Sequence, residues 1–457
     1  MGTFEKDLSK GSVGKQLWSF ALPFILSNLI QSLYSVADMI IVGRFSGAAS
    51  MSGVNVGGQI TLIITNLVIG LCAGGTTLIA QYMGSGERKA LKETIGTLLS
   101  TLVVLGVAVT VGMVLVKAPL LRMVQTPADA FSEARDYLFI TALGTLFIFG
   151  YNALSAIMRG MGDSRNPLLF VGIACTVNIV LDLFLVWGLD MKAAGAAIAT
   201  VVSQAVSMVL CIIYLKKNNF IFDFSLKSFH FHKERLKMLM KVGIPTSVQN
   251  VVVGMSFLFL TSLVNTLGVT ESAALGAVAK FNGFAILPAV AMSASIAAMS
   301  GQNIGAGEID RAAKTMKLGT GIGFAISFVI FLIAQLFPEA VLSAFGDDAA
   351  MIVAGTEYMR SFSFDYLFAS LMFGVNGLFI GSGHTTFTLI NNVLSSILFR
   401  VPMAYIGGIV LPWGMFGFGL AGPVSSFVAL ILALIFYKTG KWKKLVILKE
   451  NNQKSEA

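Results

Sequence analysis

The chain has 457 residues, 56% of them hydrophobic and 12% charged, with a mean hydropathy of +0.81 and a formal net charge of +9. A soluble chain carries roughly 25% charged residues, so the composition excludes a cytosolic enzyme, a disordered chain and a secreted disulfide scaffold. What remains is a polytopic membrane protein, in which Cys72, Cys175 and Cys211 stand alone in apolar runs with no CxxC pair for a disulfide frame or a structural zinc.

A spanning helix needs about 20 mostly apolar residues. Such runs lie near 17–43, 54–80, 94–116, 137–158, 168–188, 195–215, 242–267, 273–300, 318–337, 356–380, 387–411 and 417–437. They are continuous rather than alternating, which excludes barrel strands. The first is too long for a cleavable signal and is read as a span. The expected fold is therefore an all-α membrane protein of twelve transmembrane helices.

The first run carries Ser27, Asn28, Gln31, Tyr34, Ser35 and Asp38 at spacings that place them on one helix face. Lipid does not tolerate such a stripe, so it must line protein or water. Asp38 is six residues before Arg44, about 9 Å below that end of the span. Pro23, near the start of the same run, and Pro245, at the start of the seventh, each remove a backbone hydrogen bond and can kink their helices.

The fifth run holds Asn178 and Asp182 one turn apart, with Asp182 about 9 Å from Gly188. The sixth runs back from Gly195, which puts Thr200 roughly 7 Å in, with the Ala196 carbonyl a turn above on the same face. Oxygen and amide groups from three helices thus reach one depth. Such a set suits a small hard cation, with Asp38 and Asp182 as carboxylate ligands for Na⁺. It equally suits a proton, because two neighbouring carboxylates in low dielectric do not both ionise cheaply.

Residues 20–93 can be laid on 242–317. Pro23 matches Pro245, Asn28 matches Asn250, and Gly84-Ser85-Gly86-Glu87 matches Gly305-Ala306-Gly307-Glu308. Further on, Gly160-Met161-Gly162 matches Gly381-Ser382-Gly383, and Gly195 and Ser203 match Gly417 and Ser425, at a shift close to 222. The chain thus divides into a first lobe at 1–215, a basic linker at 216–241, a second lobe at 242–437 and a basic tail at 438–457. With an even number of spans per half, the two lobes enter with one orientation, which predicts a pseudo-two-fold axis along the membrane normal.

The second half breaks the symmetry. Asp38 falls opposite Leu260, and Asp182 falls near 400–403. Its own in-span charges are Lys280, Asp365 and Arg400. Asp365 and Arg400 suit either a mutually neutralising buried pair or a second site.

With the amino terminus inside, the inner segments carry 24 of the 32 Lys and Arg. Both termini are then cytoplasmic, in a cell membrane. The basic excess serves orientation and contact with anionic lipid, so no nucleic-acid partner is expected. Gly14-Lys15 lacks the rest of a phosphate loop, His230 and His232 lie in the polar linker, and His384 sits in a short turn. No nucleophile or metalloprotease motif occurs. Neither catalysis nor a cofactor is expected.

Ala21-Leu22-Pro23, Asp38 in the same helix, the Gly-Met-Gly-Asp turn at 160–163, Asn178-x-x-x-Asp182 and the duplicated Gly-x-Gly-Glu turns together resemble the multidrug and toxic compound extrusion (MATE) family, in its DinF-like prokaryotic branch. The resemblance covers nearly the whole chain. It implies a secondary transporter that exports amphipathic, often cationic compounds in exchange for H⁺ or Na⁺. Asp38, Asn178, Asp182, Ala196 and Thr200 would form its cation site. Gln31, Tyr34 and Asn152 would line the drug cavity, with Pro23 as the bending point. The resemblance leaves a lipid-linked precursor flippase of the same superfamily as the alternative, although only Lys280 and Arg400 are placed to meet phosphates. Small amphipathic molecules and lipids are the expected partners of a monomeric chain.

Overall fold

The computed structural model describes residues 5–411, 413–444 and 446–447, and among them there is no strand. Ten continuous helical stretches are long and apolar enough to cross a membrane, and the pair Ala128–Leu143 and Thr145–Gly160, bent by 52°, makes an eleventh. The first stretch, Val13–Ser85, has 73 residues. At 1.5 Å per residue it would be about 110 Å long, against a hydrocarbon core of about 30 Å. Gly47, at φ 81° and ψ 179°, breaks it into two spans, 13–46 and 48–85. Twelve spans result. The last part of the expected basic tail, from 448 onward, lies outside the described residues.

The duplicated turns share a backbone solution. Gly86, Gly162, Gly307 and Gly383 all take φ between 75° and 87°, a left-handed conformation that only glycine adopts without cost. In both lobes the second turn closes the same way: Asp163 N donates to Met158 O, and His384 N donates to Phe379 O. These 6→1 bonds satisfy helix-end carbonyls. In the first lobe Asp163 goes further, accepting from Arg165 N and Asn166 N to start the next helix.

Contacts divide the chain into two compact units. The first comprises Met1–Asp7 and Leu22–Gly243, and the second Leu8–Ala21 and Ile244–Ala457. The sequence reading places 8–21 with the first lobe. In the structure Leu17, Phe20 and Ala21 are buried in one apolar cluster with Met292, Ile296, Val375 and Phe379. Arg311 fixes the segment's start by donating to the carbonyls of Leu8, Lys10 and Gly11. The linker belongs with the first unit. Phe222 is buried, and Arg235 forms a 3.1 Å ion pair with Glu93 and donates to the Tyr82 hydroxyl at 2.7 Å.

Candidate cation and substrate site

All of the first-half candidates fall in the first unit. Asp38 is 8% exposed, Asn178 1% and Asp182 fully buried. Asp38 comes from the first span, while Asn178 and Asp182 sit on the last turns of helix Arg165–Asp182. There the fifth span changes character: Leu183–Gly188 continues as a π-helix. Wide turns of this kind concentrate at functional positions, because they re-aim side chains without ending the helix.

The carboxyls of Asp38 and Asp182 lie within hydrogen-bonding reach of each other. Ionised, both are acceptors only. Accordingly Asp38 Oδ1, both Asp182 oxygens and both polar atoms of the Asn178 amide are buried without a hydrogen-bond partner. Buried polar groups are otherwise almost always paired, so this concentration of orphan atoms at one place needs an account.

The surroundings are set by three more helices. Tyr34 lies beside Asp38, Cys175 and Asp182, with its hydroxyl on the Gln204 side chain. Tyr137 reaches Thr200 by a side-chain hydrogen bond and stands close to both aspartates and Tyr34. Its ring fits because Gly57 lacks a side chain; a Cβ there would lie 2.7 Å from the ring. Ala196 is fully buried in an apolar cluster with Ile41, Val42, Val54, Tyr137 and Val186. The start of the sixth helix is held by Glu133, which accepts from Ala193 N at 3.2 Å.

Gln31 and Tyr34 are half-buried on one face of the first span. Asn152 is half-buried on the fourth, and its amide donates to its own helix at Ile148 O, 2.8 Å. Among the described residues no hydrogen bond joins Asn152 to Gln31 or Tyr34. Pro23 sits inside the first helix, and the Ser27 hydroxyl donates back to Pro23 O at 2.9 Å.

Two residues of this cluster, Tyr137 and Gln204, are absent from the sequence reading. Gln204 had a usable signal, since it follows Thr200 by one turn inside an apolar run. Tyr137 had none: a tyrosine at the edge of a span reads equally well as an interfacial aromatic.

In the second unit Lys280 is exposed, whereas the two other candidates, Asp365 and Arg400, are 6% and 7% exposed. Among the described residues no ion pair joins Asp365 to Arg400.

The MatE family model matches residues 23–184 and 245–406, two stretches separated by 222 residues at both ends. The "Probable multidrug resistance protein YpnP" of Bacillus subtilis is 28% identical over 444 residues, covering 97% of this chain and 99% of that protein. The "Probable multidrug resistance protein NorM" of Thermotoga maritima is 25% identical, covering 95% and 94%. The solved structure of a MOP superfamily transporter from Pyrococcus furiosus superposes with a TM-score of 0.91 at 23% identity, over 97% of this chain and 100% of that one. A two-lobed helical membrane fold, its repeated halves each matched by the family model, makes this chain a member of the MatE family of multidrug efflux transporters, and not an enzyme.

Proposed function

We propose that this protein is a cation-coupled antiporter that exports amphipathic organic compounds, with Asp38, Asn178, Asp182, Thr200 and the backbone at Ala196 as its H⁺ or Na⁺ site. The observation that carries this reading is the facing pair Asp38 and Asp182, buried with Asn178 and short of donors. One proton shared by the two carboxyls, or one Na⁺ among carboxylate, amide and hydroxyl oxygens, supplies what the cluster lacks.

Transport follows from linkage. If the cation weakens substrate binding tenfold, the substrate weakens cation binding tenfold, about 1.4 kcal/mol of coupling. Tyr34 supports such a connection. It belongs to the polar face of the first span that also carries Gln31, and its hydroxyl, bonded to the Gln204 side chain, lies within electrostatic range of both carboxyls. Cation entry at Asp38 therefore acts on the helix that carries part of the substrate surface. Pro23 gives that helix a point at which to bend. The Lys and Arg bias supports cytoplasmic termini.

The deciding experiment is dye efflux from vesicles containing the purified protein, with Na⁺ and pH gradients imposed separately. Efflux that follows one gradient and disappears in Asp38→Asn supports the assignment. Efflux that persists in Asp38→Asn at the wild-type rate defeats it.

A further inference from the structure

The second unit carries two buried opposite charges that do not meet. The Arg400 guanidinium lies over the Phe257 ring at 4.3 Å and donates to the Ser256 hydroxyl at 2.9 Å. Its Nε is buried with no hydrogen-bond partner. Asp365 is hydrogen-bonded to the Ser426 side chain, and its Oδ1 is likewise buried without a partner. The two feel each other's charge, yet each keeps one directional group unused. A pair retained only for neutralisation would close into direct contact, since a separated buried pair gains less attraction for the same desolvation.

The backbone around the pair is irregular at both places. Asp365 is the second residue after the break between helices Ala349–Phe362 and Phe364–Gly381. Arg400 is the last residue of the π-helix Ser396–Arg400. The repeat shows what these residues replace. At the shift of 222 between the matched stretches, Arg400 stands opposite Asn178, Ala404 opposite Asp182 and Leu260 opposite Asp38; beyond those stretches the same shift, carried by Gly195 and Gly417, sets Gly422 opposite Thr200. All four cation-site side chains are thus exchanged. A Cβ at Gly422 would lie 2.7 Å from the Phe362 ring and 3.3 Å from the Asp365 carboxyl carbon, so a larger residue there would crowd both.

A lone cation is repelled here by Arg400, and a lone anion by Asp365. A group carrying both charges satisfies both free atoms. We propose that Asp365 and Arg400 form a dipolar subsite that recognises zwitterionic substrates, the substrate's cationic end meeting Asp365 and its carboxylate meeting Arg400. The proposal rests on the transporter reading above and assigns the second unit a role in substrate selection rather than ion coupling.

The test uses two dyes that differ only in the carboxylate: tetramethylrhodamine, a zwitterion, and its methyl ester, a cation. Binding of each to the purified full chain is measured by fluorescence polarisation, and transport of each in vesicles. Loss of one charge-assisted hydrogen-bonding partner in Arg400→Gln should lower the acid-to-ester affinity ratio about tenfold. Asp365→Asn/Arg400→Gln, which leaves no single buried charge, should fold and show the same loss of preference. An unchanged ratio in the double variant overturns the subsite and leaves the pair structural. Equal loss of both dyes in the folded double variant overturns it as well. If the wild-type chain transports neither dye under any gradient, the transport reading fails, and the binding ratio still decides the subsite.

Discussion

The guanidinium carbon of Arg159 stands 4.8 Å from the centre of the Phe24 ring, the residue that follows Pro23. Arg159 also donates to Ser155 Oγ, so its position is fixed from its own helix and its charge faces the proline segment of the first span. A cation over an aromatic face contributes about 0.5–2 kcal/mol, more where water is excluded. Phe24→Leu should lower the melting temperature of the purified protein, and Phe24→Tyr should not. Equal melting of Phe24→Leu and wild type would show that the contact is idle.

Asn178 leaves both amide atoms unpartnered at 1% exposure, which costs stability in the absence of a bound cation. Replacing it with leucine should therefore raise stability by about 1 kcal/mol while abolishing gradient-driven efflux. Thermal melting and vesicle transport on the same preparation separate the two effects. A leucine variant that is less stable would place the amide in a structural role.

Gly417 is packed against Gly407 so tightly that a Cβ would collide with the Gly407 carbonyl. Gly417→Ala must push the last span away from the π-helix Ile406–Val410, at about 1–3 kcal/mol for overpacking. Detergent melting should register the loss, whereas Gly112→Ala, where a Cβ meets nothing within 4 Å, should melt like wild type.

Glu93 and Arg235 anchor the linker to the third span, with Arg235 itself 9% exposed. Arg235→Met strands the Glu93 carboxylate, while the Tyr82 hydroxyl keeps its donation to Met238 Sδ at 3.4 Å. Loss of one member of a largely buried pair typically costs 3–5 kcal/mol, so the linker should become cleavable by limited proteolysis between 216 and 241. Resistance equal to wild type would show that the apolar contacts of Phe222 hold the linker unaided.

Asp223, exposed in the same linker, is held down to about 2 by hydrogen bonds from the Ser228 hydroxyl and the Ser225 backbone N–H. Its unfolded value lies near 4. A depressed carboxyl stabilises its loop above the unfolded value, and that contribution disappears as pH falls from about 4 through 2. Amide exchange at 225–228 should accelerate across that window, and Asp223→Asn should remove the pH dependence.

The twelve spans, the repeat and the positions of Asp38, Asn178 and Asp182 were legible in the sequence because polar groups in apolar runs are costly and therefore conspicuous. Assignment of 8–21 to the second unit was not. The apolar character of Leu17 and Phe20 says that they are buried, not against which helices. The separation of Asp365 from Arg400 was equally hidden, since spacing along the chain does not report the distance between side chains on different helices.

The π turns at Leu183–Gly188, Ser396–Arg400 and Ile406–Val410 bear on how the chain can change length. An ordinary helix that loses one residue rotates everything beyond the deletion by about 100°. A π turn already holds one residue more than an α turn needs, so a deletion inside it can be absorbed by local tightening. Single-residue gaps between relatives should therefore collect at these three stretches. A one-residue deletion scan along the fifth span should find its tolerated positions after Asp182 and none before it.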